Sequence, residues 1–242
     1  MTLAAALTLL AGFLIGATTL GGLIVVPALT EFARFDVDRA VASSSAALLA
    51  PALLATRAAW QDMAQRRAVA VVVAGSAVGA AVGAFLLAML PTSFTVGLIA
   101  ALALIGGIRG LASDRWHARG ERERSISAIL VLSIAAGLLS AITGTGGPVA
   151  LWPLLSLAAQ PIALCWLAAH AIQLPVALAA TAVNGLAGRL EPMTTLMLAG
   201  LLAAGFLVGQ RLAARRNVLA LARAASVMLL AIAVWLAWIL VR

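Results

Sequence analysis

Apolar residues fill this chain in long blocks, and polar positions fall mostly in the short gaps between them. A helix needs roughly twenty mainly apolar residues to cross about 30 Å of hydrocarbon. Residues 40–59, 68–89, 93–108, 162–184, 194–210 and 218–241 read as six such spans. Two further apolar stretches are interrupted. In the first, residues 3–29, Thr18, Thr19, Gly21 and Gly22 break the run and Pro27 follows. In the second, Thr143, Gly144, Thr145, Gly146 and Gly147 do so, with Pro148 and Pro153 beyond. Glycine and β-branched threonine are poor helix formers and proline cannot donate to the ladder, so both runs are expected to break there.

The two breaks are copies. AGFLIGATTLGG, residues 11–22, aligns with AGLLSAITGTGG, residues 136–147. Gly12 meets Gly137, Leu14 meets Leu139, Thr18 meets Thr143, and Gly21-Gly22 meets Gly146-Gly147. The same register aligns Gly75 with Gly200 and Thr56 with Thr181. Each half is thus one broken element followed by three spans. The expected division is a first transmembrane repeat over 1–111, a basic linker loop over 112–124 on the cytoplasmic side, and a second repeat over 125–242. Hydrophobic segments interrupted by Gly and Pro at corresponding places in two halves point to the binding site of a secondary transporter.

Arginines choose between topologies, because cytoplasmic loops collect Lys and Arg. If each broken element crosses once, the arginines divide ten against six. If each is a re-entrant hairpin, they divide twelve against four, leaving only Arg34, Arg39, Arg189 and Arg242 on the sparse side. The sharper split favours the hairpin. Each half then crosses three times, so the halves are inverted and both termini lie outside the cytoplasm. The expected fold is an all-α polytopic membrane protein of two inverted-topology repeats, each a Gly-broken re-entrant element plus three transmembrane helices.

Composition narrows the function. With 64% hydrophobic residues and a mean hydropathy of +1.13, the chain is a lipid-embedded unit rather than a set of soluble domains. The apolar start lacks the basic flank of a signal peptide and is expected to be retained. The net charge of +8 comes from sixteen arginines and no lysine. Placed at span ends, these set topology, and no nucleic-acid partner is implied. A lone cysteine, Cys165, excludes an internal disulfide and has no companions for a metal or redox centre. No P-loop is present, so gradients rather than a built-in ATPase would drive movement. No cofactor is called for.

An anion leaving water needs fixed donors in its place. No arginine falls mid-span, so backbone amides at half-helix ends and hydroxyls at the breaks are the expected source. Thr18, Thr19, Gly21 and Gly22, with Thr143, Gly144, Thr145, Gly146 and Gly147, form the candidate cradle, because glycine admits close backbone approach. A second constellation lies on the span 162–184. At 100° per residue His170, Gln173, Thr181 and Asn184 fall within an arc of about 80°, and lipid cannot satisfy such a stripe. Pro175 is expected to kink that span. His170 is an intramembrane ionisable group, a candidate anion donor or proton carrier. Ser45 aligns with it, so Ser44 and Ser45, with Ser43, are candidates for the opposite wall. Small residues also serve simple helix packing, and that reading stands beside the functional one for each glycine and serine. His117, Asp62 and Glu191 read as solvated loop residues, with arginine pairing as the alternative for the two acids. Trp60, Trp116, Trp152, Trp166, Trp235 and Trp238 read as interfacial or packing residues.

The run GATTLGGLIVVPAL, residues 16–29, with Arg39-Ala40-Val41-Ala42-Ser43-Ser44-Ser45 after it, resembles the TauE/SafE-type sulfite exporter family. Residues 137–155 resemble the second copy of that motif, and the spacings Gly75, Gly79, Gly83 and Gly200, Gly205, Gly209 also fit. The resemblance covers nearly the whole chain. Two departures stand out: Ser44-Ser45 replaces the Thr-Ser pair, with Ala169-His170 as its counterpart, and each glycine triplet is a doublet. The resemblance implies a multi-pass protein of a bacterial-type cytoplasmic (inner) membrane that moves a small sulfur anion: sulfite, sulfoacetate, another organosulfonate or thiosulfate. It implies a secondary transporter, an exporter, working by alternating access, with proton coupling open through His170. An anion channel using the same hairpins as a filter is the alternative. An intramembrane enzyme built on Ser45 and His170 lacks a serine elbow, metal pair or carboxylate dyad. Oligomeric state is open.

Overall fold

The computed structural model describes residues 2–19, 21–59, 66–111, 125–157, 162–213 and 218–241. The linker 112–124, with Trp116 and His117, lies outside them, as do Trp60, Asp62, Arg242 and the side chains of Thr56 and Trp166. Among the described residues every regular element is a helix. The first half holds α1 (Thr2–Thr18), a 3-10 turn (Gly21–Ile24), α2 (Val25–Phe32), α3 (Val37–Ala47), α4 (Leu49–Ala59), α5 (Arg66–Leu86) and α6 (Thr92–Leu111). The second holds α7 (Ile126–Thr143), α8 (Pro148–Leu157), α9 (Ile162–Ala171), α10 (Gln173–Leu186), α11 (Pro192–Ala213) and α12 (Val218–Val241). Six described α-helices in each half follow in the same order, and the first half adds 3-10 turns at Gly21–Ile24 and Leu87–Met89. Helices are the only open-ended way to satisfy the backbone in lipid, and the runs of Ala, Leu and Val supply them. Among the described residues six are long and apolar enough to cross a membrane: Val37–Ala55, Arg66–Met89, Thr92–Arg109, Ile126–Thr143, Leu167–Leu186 and Pro192–Leu212.

Two details differ from the pattern-based reading. α7 is itself long enough to cross, so the second break falls at the end of a full helix rather than inside a shorter one. The spans expected at 40–59 and 162–184 each carry a joint, at Leu48 and Ile172. Proline is the cause. Pro51 and Pro175 have no N–H for the carbonyls four residues earlier, Ala47 and Ala171, and those are the last residues of α3 and α9. The helical path still carries on across each joint: Leu48 N–H donates to Ser44 O (3.0 Å) and Ile172 N–H to Ala168 O (2.9 Å).

Glycines draw the long helices together, and the closest pairings join one half to the other. A Cβ on Gly79 would lie 2.0 Å from the Ile134 carbonyl oxygen, and one on Gly83 2.4 Å from that of Leu138. α5 and α7 therefore run parallel, backbone against backbone. Gly12 fits over Leu202 and Gly16 over Phe206, so α1 runs parallel to α11 in the same way. Gly107 sits against Leu230 and Gly97 against Leu240, so α6 and α12 are antiparallel. Lipid offers no hydrophobic drive for this association, and close van der Waals contact through small residues supplies it instead. Val78, Phe85, Val131, Leu196 and Val234 stand exposed around the outside. Such an apolar exterior is normal only where lipid covers it.

The two breaks open with the same left-handed residue and then diverge, into a 3-10 turn at Gly21–Ile24 in the first and into positive-φ Gly146 and Gly147 in the second. After α7, Gly144 takes a left-handed conformation (φ 67°) and its N–H caps the Ser140 carbonyl. Thr19, its aligned residue after α1, has the same φ of 67°. Glycine does this freely, whereas a β-branched residue there is strained by roughly 1–3 kcal/mol. Thr19→Gly is therefore expected to raise stability by about 1 kcal/mol, read as a higher unfolding midpoint in detergent. An unchanged or lower midpoint would show that the threonine side chain offsets its strain.

Candidate functional site

The site grows out of the place where the breaks meet. A Cβ on Gly22 would lie 2.2 Å from the carbonyl oxygen of Thr145. Only a bare glycine admits that approach, so Gly22 is where the first break touches the second. Gly21 turns the chain back on its own helix, its Cα facing the Ala11 carbonyl of α1 at a distance that no Cβ would fit. Elements of the first half clasp the second break. Val26 of α2 and Val41 of α3 lie beside Gly144, Leu48 at the α3–α4 joint lies beside Gly146, and Ser44 Oγ donates to the Gly144 carbonyl at 2.9 Å. From the second half, Ile172 at the α9–α10 joint packs on Gly147. Both breaks therefore meet beside the mid-length joints of the two kinked spans. Gly146 (φ 80°) and Gly147 (φ 114°) hold backbone shapes that L side chains rarely adopt, immediately before α8 begins at Pro148.

The crossing is closed to solvent and carries no charge of its own. Gly21, Gly22 and residues 141–150 are all buried, and the residues clasping the second break are apolar or hydroxylic. Among the described residues, no three His, Cys, Asp or Glu side chains gather to hold a metal.

Hydroxyl roles divide differently from the sequence expectation. Thr18 Oγ1 donates to Leu14 O and Thr143 Oγ1 to Leu139 O, each at 2.8 Å, so these protons are spent on their own helices. Thr145 Oγ1 lies 3.1 Å from Thr143 Oγ1 and shares a hydrogen bond with it. On α3 and α7, the helices that meet at the second break, the buried hydroxyls of Ser43 and Ser140 have no partner. Ser140 lies one turn before the second break, and its carbonyl accepts the Thr145 N–H at 3.2 Å. Sequence reasoning passed over it because Ile15, its counterpart in the first half, is apolar. The signal was there: Ser140 occupies the helix face one turn from Thr143 and Gly144.

The polar stripe is split between two places. His170, half-buried, and Gln173, buried, flank the Ile172 joint in sequence, and of the three Ile172 is the one packed on the second break. Gln173 Nε2 donates to Ala169 O at 3.3 Å. Thr181 Oγ1 donates to Ala177 O. Asn184 is not brought to the crossing. It lies eleven residues beyond Gln173 on α10, roughly 16 Å along the axis. There its Oδ1 accepts from Arg189 Nη1 at 3.0 Å. Thr19 sits partly buried at the first bend, and Ser45 is buried on α3 beside Ser44. Glu191 is not simply solvated: it stands 3.7 Å from Arg39, both side chains about half exposed, a pairing worth little in stability. Trp235 stacks on Phe32, ring centroids 6.2 Å apart, which joins α12 to α2.

No curated protein and no solved structure matches the chain. A family model does: the one described as Sulfite exporter TauE/SafE matches residues 4–236, almost from end to end. That family is one of membrane transporters of sulfur anions such as sulfite rather than enzymes. Given this match and a multi-pass helical fold, the chain belongs to the sulfite exporter TauE/SafE family.

Proposed function

We propose that this protein is a secondary carrier that exports a small sulfur oxyanion or organosulfonate, and that the crossing of the two breaks is its binding site. The observation that carries the reading is the contact of Gly22 with the Thr145 carbonyl, which makes two distant glycine-rich turns one place. Supporting it are buried donors with nothing to donate to, the Ser140 hydroxyl one turn before the second break and the Ser43 hydroxyl on α3 next to Ser44, and the first residues of the half-helix α8. A dehydrated anion needs such donors, and the site supplies them without a fixed cation that would hold the anion too tightly to release. His170, beside the Ile172 joint, is the group through which a proton would couple to transport.

Packing directions support the inverted arrangement. α1 runs parallel to α11, α5 parallel to α7, and α6 antiparallel to α12. If successive spans alternate in direction and each broken element crosses once, the first two relations hold and the third fails. If each broken element folds back on itself, all three hold together and the halves are inverted. Arginine distribution then puts both termini and the Arg189 face outside the cytoplasm. Alternating access follows as a rocking of interlocked halves about the crossing.

Flux of sulfite or thiosulfate in proteoliposomes tests the reading, with Ser140→Ala beside the wild type. Deleting a buried hydroxyl that has no partner leaves stability unchanged or raises it. Deleting one that binds the anion raises the half-saturating concentration by about tenfold. Unaltered stability with that rise is expected, along with saturable counter-exchange. Unaltered affinity would remove Ser140 from the site, and single-channel currents in place of counter-exchange would make the protein a channel.

A further inference from the structure

A second polar place lies at the far end of α10. A cleft of about 590 Å³ opens to solvent there, lined by residues 35–39 at the start of α3, by Thr92 of α6 and by Arg189. Arg189 is the lining residue that reaches inward to both α5 and α10. Its Nη1 donates to the Ala84 carbonyl at 3.1 Å and to Asn184 Oδ1 at 3.0 Å, so it joins the end of α5 to the end of α10. A guanidinium only donates, which fixes the Asn184 amide with its oxygen toward Arg189 and its nitrogen free. Asn184 is fully buried and its Nδ2 has no partner.

Two more unpartnered hydroxyls lie one helical turn from residues at this end, Thr92 in the cleft lining and Glu191, the partner of Arg39. Thr95 follows Thr92 by one turn of α6 and is fully buried, and its Oγ1 has no partner. Thr195 follows Glu191 by one turn of α11, and its Oγ1 is buried and unpartnered too. Buried polar groups in native proteins are almost always satisfied, so an orphan amide beside a guanidinium, with two orphan hydroxyls at the same end of the molecule, asks for an acceptor-rich occupant. Asp36 and Asp38 in the lining, with Glu191 beside Arg39, offset Arg39 and Arg189, so no positive field draws anions from afar. Recognition there rests on short-range donation, which suits a small oxyanion and not a bulky polyanion.

We infer that Arg189 and Asn184, with Thr95 and Thr195, form a second anion site, where the transported sulfur oxyanion is held at this face between bulk water and the crossing. The inference rests on the carrier reading above and deepens it. The stripe Gln173, Thr181, Asn184 runs from one site to the other along a single face of α10. Arg189 spends Nη1 on the Ala84 carbonyl and Asn184, which leaves the donors of Nη2 and Nε for an anion without breaking the contact that ties the two halves together here.

Asn184→Asp separates binding from structure. The carboxylate keeps the acceptor that holds Arg189, so the tether survives and the fold with it. It removes the free donor and puts a negative charge where the anion would sit. Flux is measured in proteoliposomes with sulfite and with thiosulfate presented to one face at a time. The Arg189 face is identified by impermeant labelling of Thr92→Cys. The expected result is a rise of about tenfold or more in the half-saturating concentration at the Arg189 face, with the value at the other face within about twofold. Thr95→Val, nearly the same shape, should give a smaller rise on the same face only. Wild-type flux with both variants unchanged, or with both faces altered alike, would overturn the second site alone. Wild-type vesicles that move neither anion would overturn the carrier reading and this site with it.

Discussion

Gly22→Ala is expected to reduce transport by about a hundredfold or more. The added Cβ would lie 2.2 Å from the Thr145 carbonyl oxygen, where no side-chain carbon rests. Nothing nearby yields cheaply. The obstacle is backbone, held by the Thr145 N–H donating to the Ser140 carbonyl and by the Ser44 hydroxyl donating to the Gly144 carbonyl. Overpacking a tight contact costs about 1–3 kcal/mol, which the long helices can absorb. The breaks would instead part, and the cradle they form would lose its geometry. A folded protein with little flux is therefore the expected outcome. Full flux would mean that the contact is incidental to transport.

Gly79→Ala should fail earlier, at folding. Its Cβ would meet the Ile134 carbonyl at 2.0 Å, along a seam where α5 and α7 touch backbone to backbone over Gly79, Gly83 and Gly137. Close packing is the main force between these helices in lipid, so forcing them apart removes it along the whole seam. Gly209→Ala, against Phe13 at the same 2.0 Å, should behave alike. Gly200→Ala is the control: nothing lies within 4 Å of it, and alanine gains about 1 kcal/mol in helix propensity. Folded yield and unfolding midpoint should fall steeply for the first two variants and hold or rise for the third. Equal behaviour of all three would contradict the packing account.

That contrast shows where the sequence stops being legible. Gly75 and Gly200 align perfectly, yet Gly75 packs on Leu130 and Ser133 while Gly200 faces open space. Register tells which residues correspond, and only tertiary packing tells which of them another helix approaches. Span positions were legible because lipid imposes one length and one hydropathy. The breaks were legible because glycine and proline advertise themselves, and so was the kink at Pro175. Pro51 carried the same signal for the Leu48 joint and was passed over.

Other features depend on contacts no local pattern encodes. The Ser44 bond to the Gly144 carbonyl joins residues a hundred positions apart, and nothing local to α3 announces it. The threonine hydroxyls, expected to face an anion, turn back on their own helices because an i−4 carbonyl is always within reach of a helical threonine. Asn184 fell on the right arc of a helical wheel, but a wheel ignores height, and height puts it beside Arg189 instead of the crossing.

The central claim is that a sulfur oxyanion binds where the two breaks meet. Crystals grown with selenite, the heavier analogue of sulfite, would test it by anomalous scattering from selenium. The account predicts a peak within hydrogen-bonding distance of the Ser140 hydroxyl and the Thr145–Gly147 backbone, beside Gly22, and its loss in Gly22→Ala. Selenium bound elsewhere, with that crossing empty while the same protein transports selenite, would contradict it.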